Sequence, residues 1–361
     1  MAITKTIGPT GDYIADNTGV ADASSAFYTD LKPAMAGQDC NLTVQPGTYK
    51  LTSTPGFFWA TGMTSLNATM TGASFTDNPV LGTFHMTQIG IDEATGKSAR
   101  IKTVAAGATG VELTAASATA GHISRAVVGQ WMMVTGFDTQ GLFLSAYGFP
   151  SNAHFVEFVQ ITAVDTGAKT ISFAGQPLRD GYSSQWPEFN RGGAFEVDSG
   201  GPATVYFLHP DFGGTAEFNG GTYSRTNLIV CTGKDFTIRN AATSGGLPIY
   251  PSVNKFWRAY DCDTSTSGNM EIDKLADTVI WDGGHAHGFE TQSSSIYNTT
   301  IRNTTIDGDF NGSGRITVMD NVTIDGDLRI GPLVAGVAES FSCTNSTLTT
   351  IMNAGPRILR G

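Results

Sequence analysis

The segment Asn303-Thr-Thr-Ile-Asp-Gly-Asp-Phe310 returns as Asn321-Val-Thr-Ile-Asp-Gly-Asp-Leu328, an offset of eighteen (321 minus 303). A shorter echo, Asn345-Ser-Thr-Leu-Thr-Thr-Ile351, starts after a further step of twenty-four (345 minus 321). Repeats near this length, built of short β-type runs and Asn/Gly/Asp corners, are what one coil of a parallel β-helix needs. A single coil cannot bury its apolar side alone, so such coils must stack. Composition agrees: 44 glycines and only 15% charged residues suit many short strands and turns rather than helices. Candidate coil strands run from Thr204-Val-Tyr-Phe207 through Ala216-Glu-Phe218, Asp235-Phe-Thr-Ile238, Lys255-Phe-Trp257 and Thr278-Val-Ile280 to Leu328-Arg-Ile330. At roughly 20–25 residues per coil, the region from about 188 onward holds about seven or eight coils.

The net charge of −11, with no basic patch, argues against a nucleic-acid partner and against docking on an anionic membrane. No apolar run is long enough to insert in a bilayer. The first residues, Met-Ala-Ile-Thr-Lys-Thr-Ile-Gly, lack the apolar stretch of a secretory signal. Cys40, Cys231, Cys262 and Cys343 lie far apart with no metal-ligand spacing, and read as buried free thiols.

Residues 1–55 follow a recognisable order. Gly11-Asp12-Tyr13 and Asp16-Asn17-Thr18 make a polar, turn-rich start. A short helix is predicted over Ser24–Met35, with Phe27, Leu31 and Met35 on one face and Pro33 interrupting it. Leu42-Thr-Val44 then alternates, Gln45-Pro-Gly47 turns, and Thr48-Tyr-Lys-Leu-Thr52 resumes a strand. This order, with Gly11-Asp12, Asp16-Asn17-Thr18 and Pro46-Gly47-Thr48-Tyr49, resembles the N-terminal end of the pectate-lyase-like right-handed parallel β-helix superfamily, which includes many bacteriophage tailspikes and receptor-binding spikes. Asp12-Tyr13 stands where that group usually has Asp-Gly.

The resemblance implies an all-β fold: a right-handed parallel β-helix (solenoid) with a short N-terminal capping helix. Residues 91–187 read differently. Val111-Glu-Leu113, Gln130-Trp-Met-Met-Val134, Phe155–Ile161 and Thr170-Ile-Ser-Phe173 are strands, and Asp165-Thr-Gly-Ala-Lys169 is a hairpin turn. They predict an inserted small antiparallel β-domain between a cap with the first coils (1–90) and the main solenoid (188–361). The polar, aromatic loop Phe137–His154, which holds Tyr147, would be its exposed feature.

Three clusters could carry chemistry. Asp307, Asp309, Asp325 and Asp327 recur at the repeat offset, so equivalent carboxylates on adjacent coils would stand about 4.8 Å apart. Either they share a Ca²⁺ ion, or they are corner residues pointing to water while Ile306 and Phe310 point inward. Asn303, Asn321 and Asn345 read as corner residues that tolerate left-handed backbone, as an asparagine ladder. The stretch Trp281-Asp-Gly-Gly-His-Ala-His-Gly-Phe-Glu290 reads as a glycine-rich exposed loop. Its Asp282, His285, His287 and Glu290 form either an acid/base set, a His-x-His metal pair, or a plain polar loop.

In Lys255-Phe-Trp-Arg-Ala-Tyr-Asp-Cys-Asp263, the rings of Trp257 and Tyr260 stand near the carboxylates of Asp261 and Asp263. Rings that meet a sugar's apolar face, beside carboxylates for its hydroxyls, suit carbohydrate binding. The other reading is core packing. If these two segments lie on neighbouring coils, Trp257, Asp261, Asp263, Asp282 and His285 share a groove.

The leading expectation is a virion spike, on the tail or head of a phage or phage-like particle, that binds the surface polysaccharide of a bacterial host. It would be a homotrimer attached to other virion structural proteins, released by lysis without a signal peptide. An enzyme on the same scaffold, a polysaccharide hydrolase or lyase using Asp261, Asp263, Asp282 or Glu290, and a bacterial surface adhesin also fit, because one solenoid hosts binding and catalysis alike.

Overall fold

In the computed structural model, about nine turns of parallel strands stack into a β-solenoid, with antiparallel sheets at its side. The structure describes residues 2–52, 59–77, 98–136, 155–184, 203–224, 230–231, 233–245, 250–251, 253–271, 275–290, 296–312, 316–330, 340–353 and 359–360. The sequence repeat is the coil itself. Asn298 pairs with Ile316, and Ile316 with Ser340, which are the same two offsets that separate Asn303, Asn321 and Asn345.

Stacking puts equivalent side chains in columns. Leu42, Ala68, Phe218, Ile238, Ala259, Trp281, Ile301 and Met319 occupy one register position on successive coils. All eight are at most 2% exposed, so this column is core. Rings stack along the axis: Tyr49 on Phe75 at 5.9 Å, Phe75 on Tyr223 at 5.3 Å and Trp257 on Trp281 at 6.4 Å. Such offset pairs add to area burial.

Between its two halves, each long strand turns a corner through left-handed backbone. Asn240, Asp261, Asn303, Asn321 and Asn345 have φ between 50° and 55°, and Gly283 has φ 83°. Asn, Asp and Gly are the residues that tolerate this region. The predicted asparagine ladder is present in part: Asn321 Nδ2 donates to Asn303 Oδ1 at 2.9 Å and Asn303 Nδ2 to Asp282 Oδ1 at 2.7 Å, whereas Asn345 Nδ2 turns to Asp320 Oδ1.

The capping helix forms as expected but in two pieces. A π-helical turn, Ala26–Asp30, is followed by an α-helical turn, Lys32–Met35, with Pro33 in its first turn, where the missing N–H costs little. Phe27, Leu31 and Met35 are fully buried against the first coils.

The insertion is visible in the register. Ser65 pairs with Thr215 on the next coil, although residues 66–214 lie between them in the chain. Between these two strands the chain builds a four-stranded antiparallel sheet and a three-stranded one. The four-stranded sheet orders Phe155–Gln160, Trp131–Gly136, Thr204–Phe207 and Ser98–Arg100. Thr204–Phe207, expected as a coil strand, therefore belongs to this antiparallel sheet. The hairpin at Asp165 is as predicted: its carboxylate accepts the N–H groups of Gly167 and Ala168 at 2.8 and 2.9 Å.

The apolar run in Trp131–Gly136 is explained by burial on both faces. Met132 and Val134 face the second sheet with Ile171 and Val111. Met133 faces the other way, into a cluster with Phe158, Phe212 and Val253 of the solenoid. A polar junction sits beside it. Arg179 Nη1 donates to Asp277 Oδ1 at 2.7 Å, and its guanidinium lies 3.7 Å over the Tyr297 ring. Glu157 accepts from Arg179 N, Asp180 N and Tyr182 Oη at 2.7, 3.0 and 2.9 Å. Burial pushes the Glu157 carboxyl up, against the pull of the Arg179 guanidinium.

Candidate functional site

The outer surface beside the corner carries a second column, and none of its members is buried. Asn219, Arg239, Tyr260, Asp282, Arg302, Asp320 and Thr344 are in register on seven successive coils. Past the corner, Asp263, His285, Thr305, Thr323 and Thr347 form a parallel column. The corner side chains lie between the two. Neighbouring rungs are about 4.8 Å apart, so this face offers a donor or acceptor at nearly every step along the axis.

Local contacts fix these groups in place. Arg239 Nε meets Glu217 Oε1 at 2.7 Å, while its guanidinium lies 4.1 Å over the Tyr260 ring, a cation–π contact that orients both. A Cβ at Gly283 would collide with the Asp261 carboxylate, so glycine here makes room for that side chain as well as for the corner. His285 Nε2 is 2.6 Å from Asp307 Oδ1 on the next coil.

The Thr344 hydroxyl at 2.8 Å and the Asn345 amide at 2.9 Å hold the Asp320 carboxyl below its ordinary value. Burial acts against the charge of Asp263. The hydroxyl and N–H of Ser265, at 2.6 and 3.0 Å, outweigh it and hold the carboxyl low. Hydrogen bonds to the charged form have this effect. Both groups are therefore ionised acceptors at neutral pH.

The two segments that were to share a groove do lie on neighbouring coils: Tyr260 pairs with Asp282 and Asp263 with His285. The structure thus brings Tyr260, Asp261, Asp263, Asp282 and His285 to one face. Trp257 is not among them. It is fully buried against Trp281, so it offers no sugar platform. Strand side chains alternate, and positions 257 and 260 differ by an odd number, so they point to opposite faces.

The stretch from Trp281 is no loop. Residues 281–286 complete the strand Leu275–Ala286, and Gly283 is its corner. Exposed His287 follows that strand, and Glu290 lies on the next strand, Phe289–Glu290, where it pairs with Glu271 and Asn311. Tyr147 and the Phe137–His154 loop lie outside the described residues.

The repeated aspartates find a cation within the chain. Arg329 Nη2 reaches Asp327 Oδ2 at 2.7 Å and Asp309 Oδ2 at 3.3 Å, and Asp307 turns to His285. Among the described residues, no group of three or more His, Cys, Asp or Glu side chains is gathered to hold a metal ion. Ile306 and Phe310 point inward, both fully buried. Cys40 and Cys262 are buried free thiols, and burial pushes each up to about 11, far from a reactive thiolate. Cys343, expected to be buried, is a free thiol only half-buried near the end of the solenoid.

Arg239, Arg302 and Asp320 were missed by sequence reasoning. Each immediately precedes a corner residue, as Tyr260 and Asp282 do, and that position was the available signal.

No protein family matches the chain and no curated protein does. Among solved structures it is similar to the Gp54 tailspike of Acinetobacter baumannii bacteriophage AP22, in complex with A. baumannii capsular saccharide, at 11% identity and a TM-score of 0.42 over 92% of this chain. It is also similar to the tailspike protein gp49 from Pseudomonas phage LKA1, at 12% identity and a TM-score of 0.40, again over 92%. The chain spans 67% and 62% of the length of those two proteins.

Proposed function

We propose that this protein is a spike of a phage-like particle whose corner face binds the surface polysaccharide of a bacterial host. The observation that carries the reading is the in-register column Arg239–Tyr260–Asp282–Arg302–Asp320. It combines an oriented ring, fixed acceptors and exposed guanidinium on a rigid, repeating scaffold. A polymer of hydroxyl-bearing units lying along the axis meets a donor, an acceptor or a ring at each step. Rigid elements position such groups better than loops do.

The particle setting rests on the resemblance of residues 1–55 to spike proteins and on the solenoid that follows them. A homotrimer attached to other virion proteins, working outside the cell, belongs to the same reading. No helix among the described residues is long and apolar enough to cross a membrane.

The test is incubation of the purified protein with a panel of bacterial surface polysaccharides, pectin and alginate. Binding, new reducing ends and ultraviolet absorbance from new double bonds are followed together. Saturable binding without product is the expected result. Product would make the protein a depolymerase. Asp263, Asp282 and the His285–Asp307 pair would then be the acid/base groups to replace first. No binding to any bacterial polysaccharide would sink the proposal.

A further inference from the structure

A cavity of about 440 Å³ lies away from the corner face, where three distant segments meet. The capping helix contributes Tyr28 and Lys32, the turn before the third coil contributes Trp59 and Thr61, and the return from the lateral body contributes His209 and Asp211. Its size falls in the roughly 300–1,000 Å³ range of small-molecule sites.

The walls are chemically mixed in a specific way. Two aromatic side chains supply apolar surface. Lys32 Nζ lies 5.9 Å from the centre of the Tyr28 ring. Asp211 is 8% exposed and anchored by the Gly62 N–H, which donates to its Oδ1 at 2.9 Å. His209 Nδ1 accepts the Asp211 N–H at 3.2 Å, so in the neutral ring the proton sits on Nε2. The cavity walls therefore carry an ammonium-bearing side chain, a fixed carboxylate, two aromatic residues and a threonine.

We infer that this cavity binds one acidic pyranose unit, a hexuronate. Its carboxylate would meet Lys32, its hydroxyls Asp211 and Thr61, and its apolar face an aromatic ring. Burial pulls the Lys32 ammonium down to about 8. A ligand carboxylate favours the charged ammonium, which a neutral sugar does not do. Asp211 would accept from ligand hydroxyls, a contact that acetate cannot make. The inference is independent of the corner face, because it concerns a single unit rather than a polymer track.

The test uses free glucuronate and galacturonate, with methyl glucoside and acetate as counterparts, titrated into the full chain and followed by calorimetry and ligand-observed magnetic resonance. At least one uronate should bind saturably and at least about tenfold more tightly than both counterparts, a difference of about 1.4 kcal/mol. Lys32→Met should weaken it at least about tenfold, and Lys32→Arg should restore most of it. An unchanged thermal midpoint in both variants separates lost contacts from lost folding.

Polymer binding at the corner face should be the same in Lys32→Met as in the parent. The inference fails if neither uronate saturates, if methyl glucoside binds equally well, or if Lys32→Met binds as the parent does. If uronate units are the polymer's own ends, oligomers ending in a uronate will compete with the free acid. If the ligand is a free acid, they will not, and the site stands in either case.

Discussion

On the solenoid, the residue before each corner faces outward coil after coil; on the lateral body, no position repeats. The solenoid buries Leu42, Ala68, Phe218, Ile238 and their successors in one column. The lateral body instead buries two faces of one strand, Trp131–Gly136, against two different clusters. Its ionisable interior follows the same contrast. The corner face keeps its carboxylates wet and hydrogen-bonded, whereas the junction holds Glu157 buried under Arg179. A periodic scaffold can offer the same chemistry many times. A single inserted body offers singular contacts, and it uses them to fix itself to the coils.

The largest expected effect comes from opening the solenoid core. Trp281 is fully buried, stacked on Trp257, edge-on to Phe289 at 5.5 Å, and its Nε1 donates to Thr304 Oγ1 at 3.2 Å. Trp281→Ala should cost about 4 kcal/mol in chemical denaturation. Hydrogen exchange should rise in the adjoining coils first, since coils depend on their neighbours. If the Met132 and Val134 amides lose protection to the same extent, the two regions are one cooperative unit and the contrast fails.

Arg179→Met removes the cation of the junction and leaves Asp277 and Glu157 buried without it. About 3 kcal/mol should be lost, with the loss appearing as new protease sensitivity between the lateral body and the coils. A variant as resistant as the parent would show that the apolar contacts of Phe158, Phe212 and Val253 suffice.

The smallest effect is at the cap. Burial opposes the charge of Asp22, but the Ser24 hydroxyl and N–H, at 2.6 and 3.0 Å, and the Thr52 N–H at 3.1 Å hold its carboxyl well below the usual range. A depressed folded value means the contribution is present above about pH 4 and is lost as pH falls below it. Asp22→Ala should therefore lower stability by about 1 kcal/mol at pH 7, and less at pH 3, read from melting curves at both.

The coil period was legible because the two offsets in the sequence are the pairing register, and Asn303, Asn321 and Asn345 mark its corners. Half of the site was legible for the same reason. Tyr260, Asp261, Asp263, Asp282 and His285 cluster in sequence and fall on adjacent coils. Trp257 was misplaced because its segment was treated as one face, whereas alternation sends it inward. The 281–290 stretch read as a loop because Gly283 and Gly284 look flexible, when Gly283 is a corner inside a long strand. Arg239, Arg302 and Asp320 carry no local signal of binding; only the register makes them neighbours. The cavity at the cap joins residues 28, 59 and 209, a juxtaposition that the insertion creates and no spacing reveals.

The most direct test of the account is polysaccharide binding by the parent, Arg302→Ala and Tyr260→Ala, measured side by side on the host glycan found in the panel. Both variants should fold as the parent does and bind at least about tenfold more weakly, a loss of about 1.4 kcal/mol or more. Two folded variants that bind as tightly as the parent would place recognition somewhere other than the corner face and contradict the account.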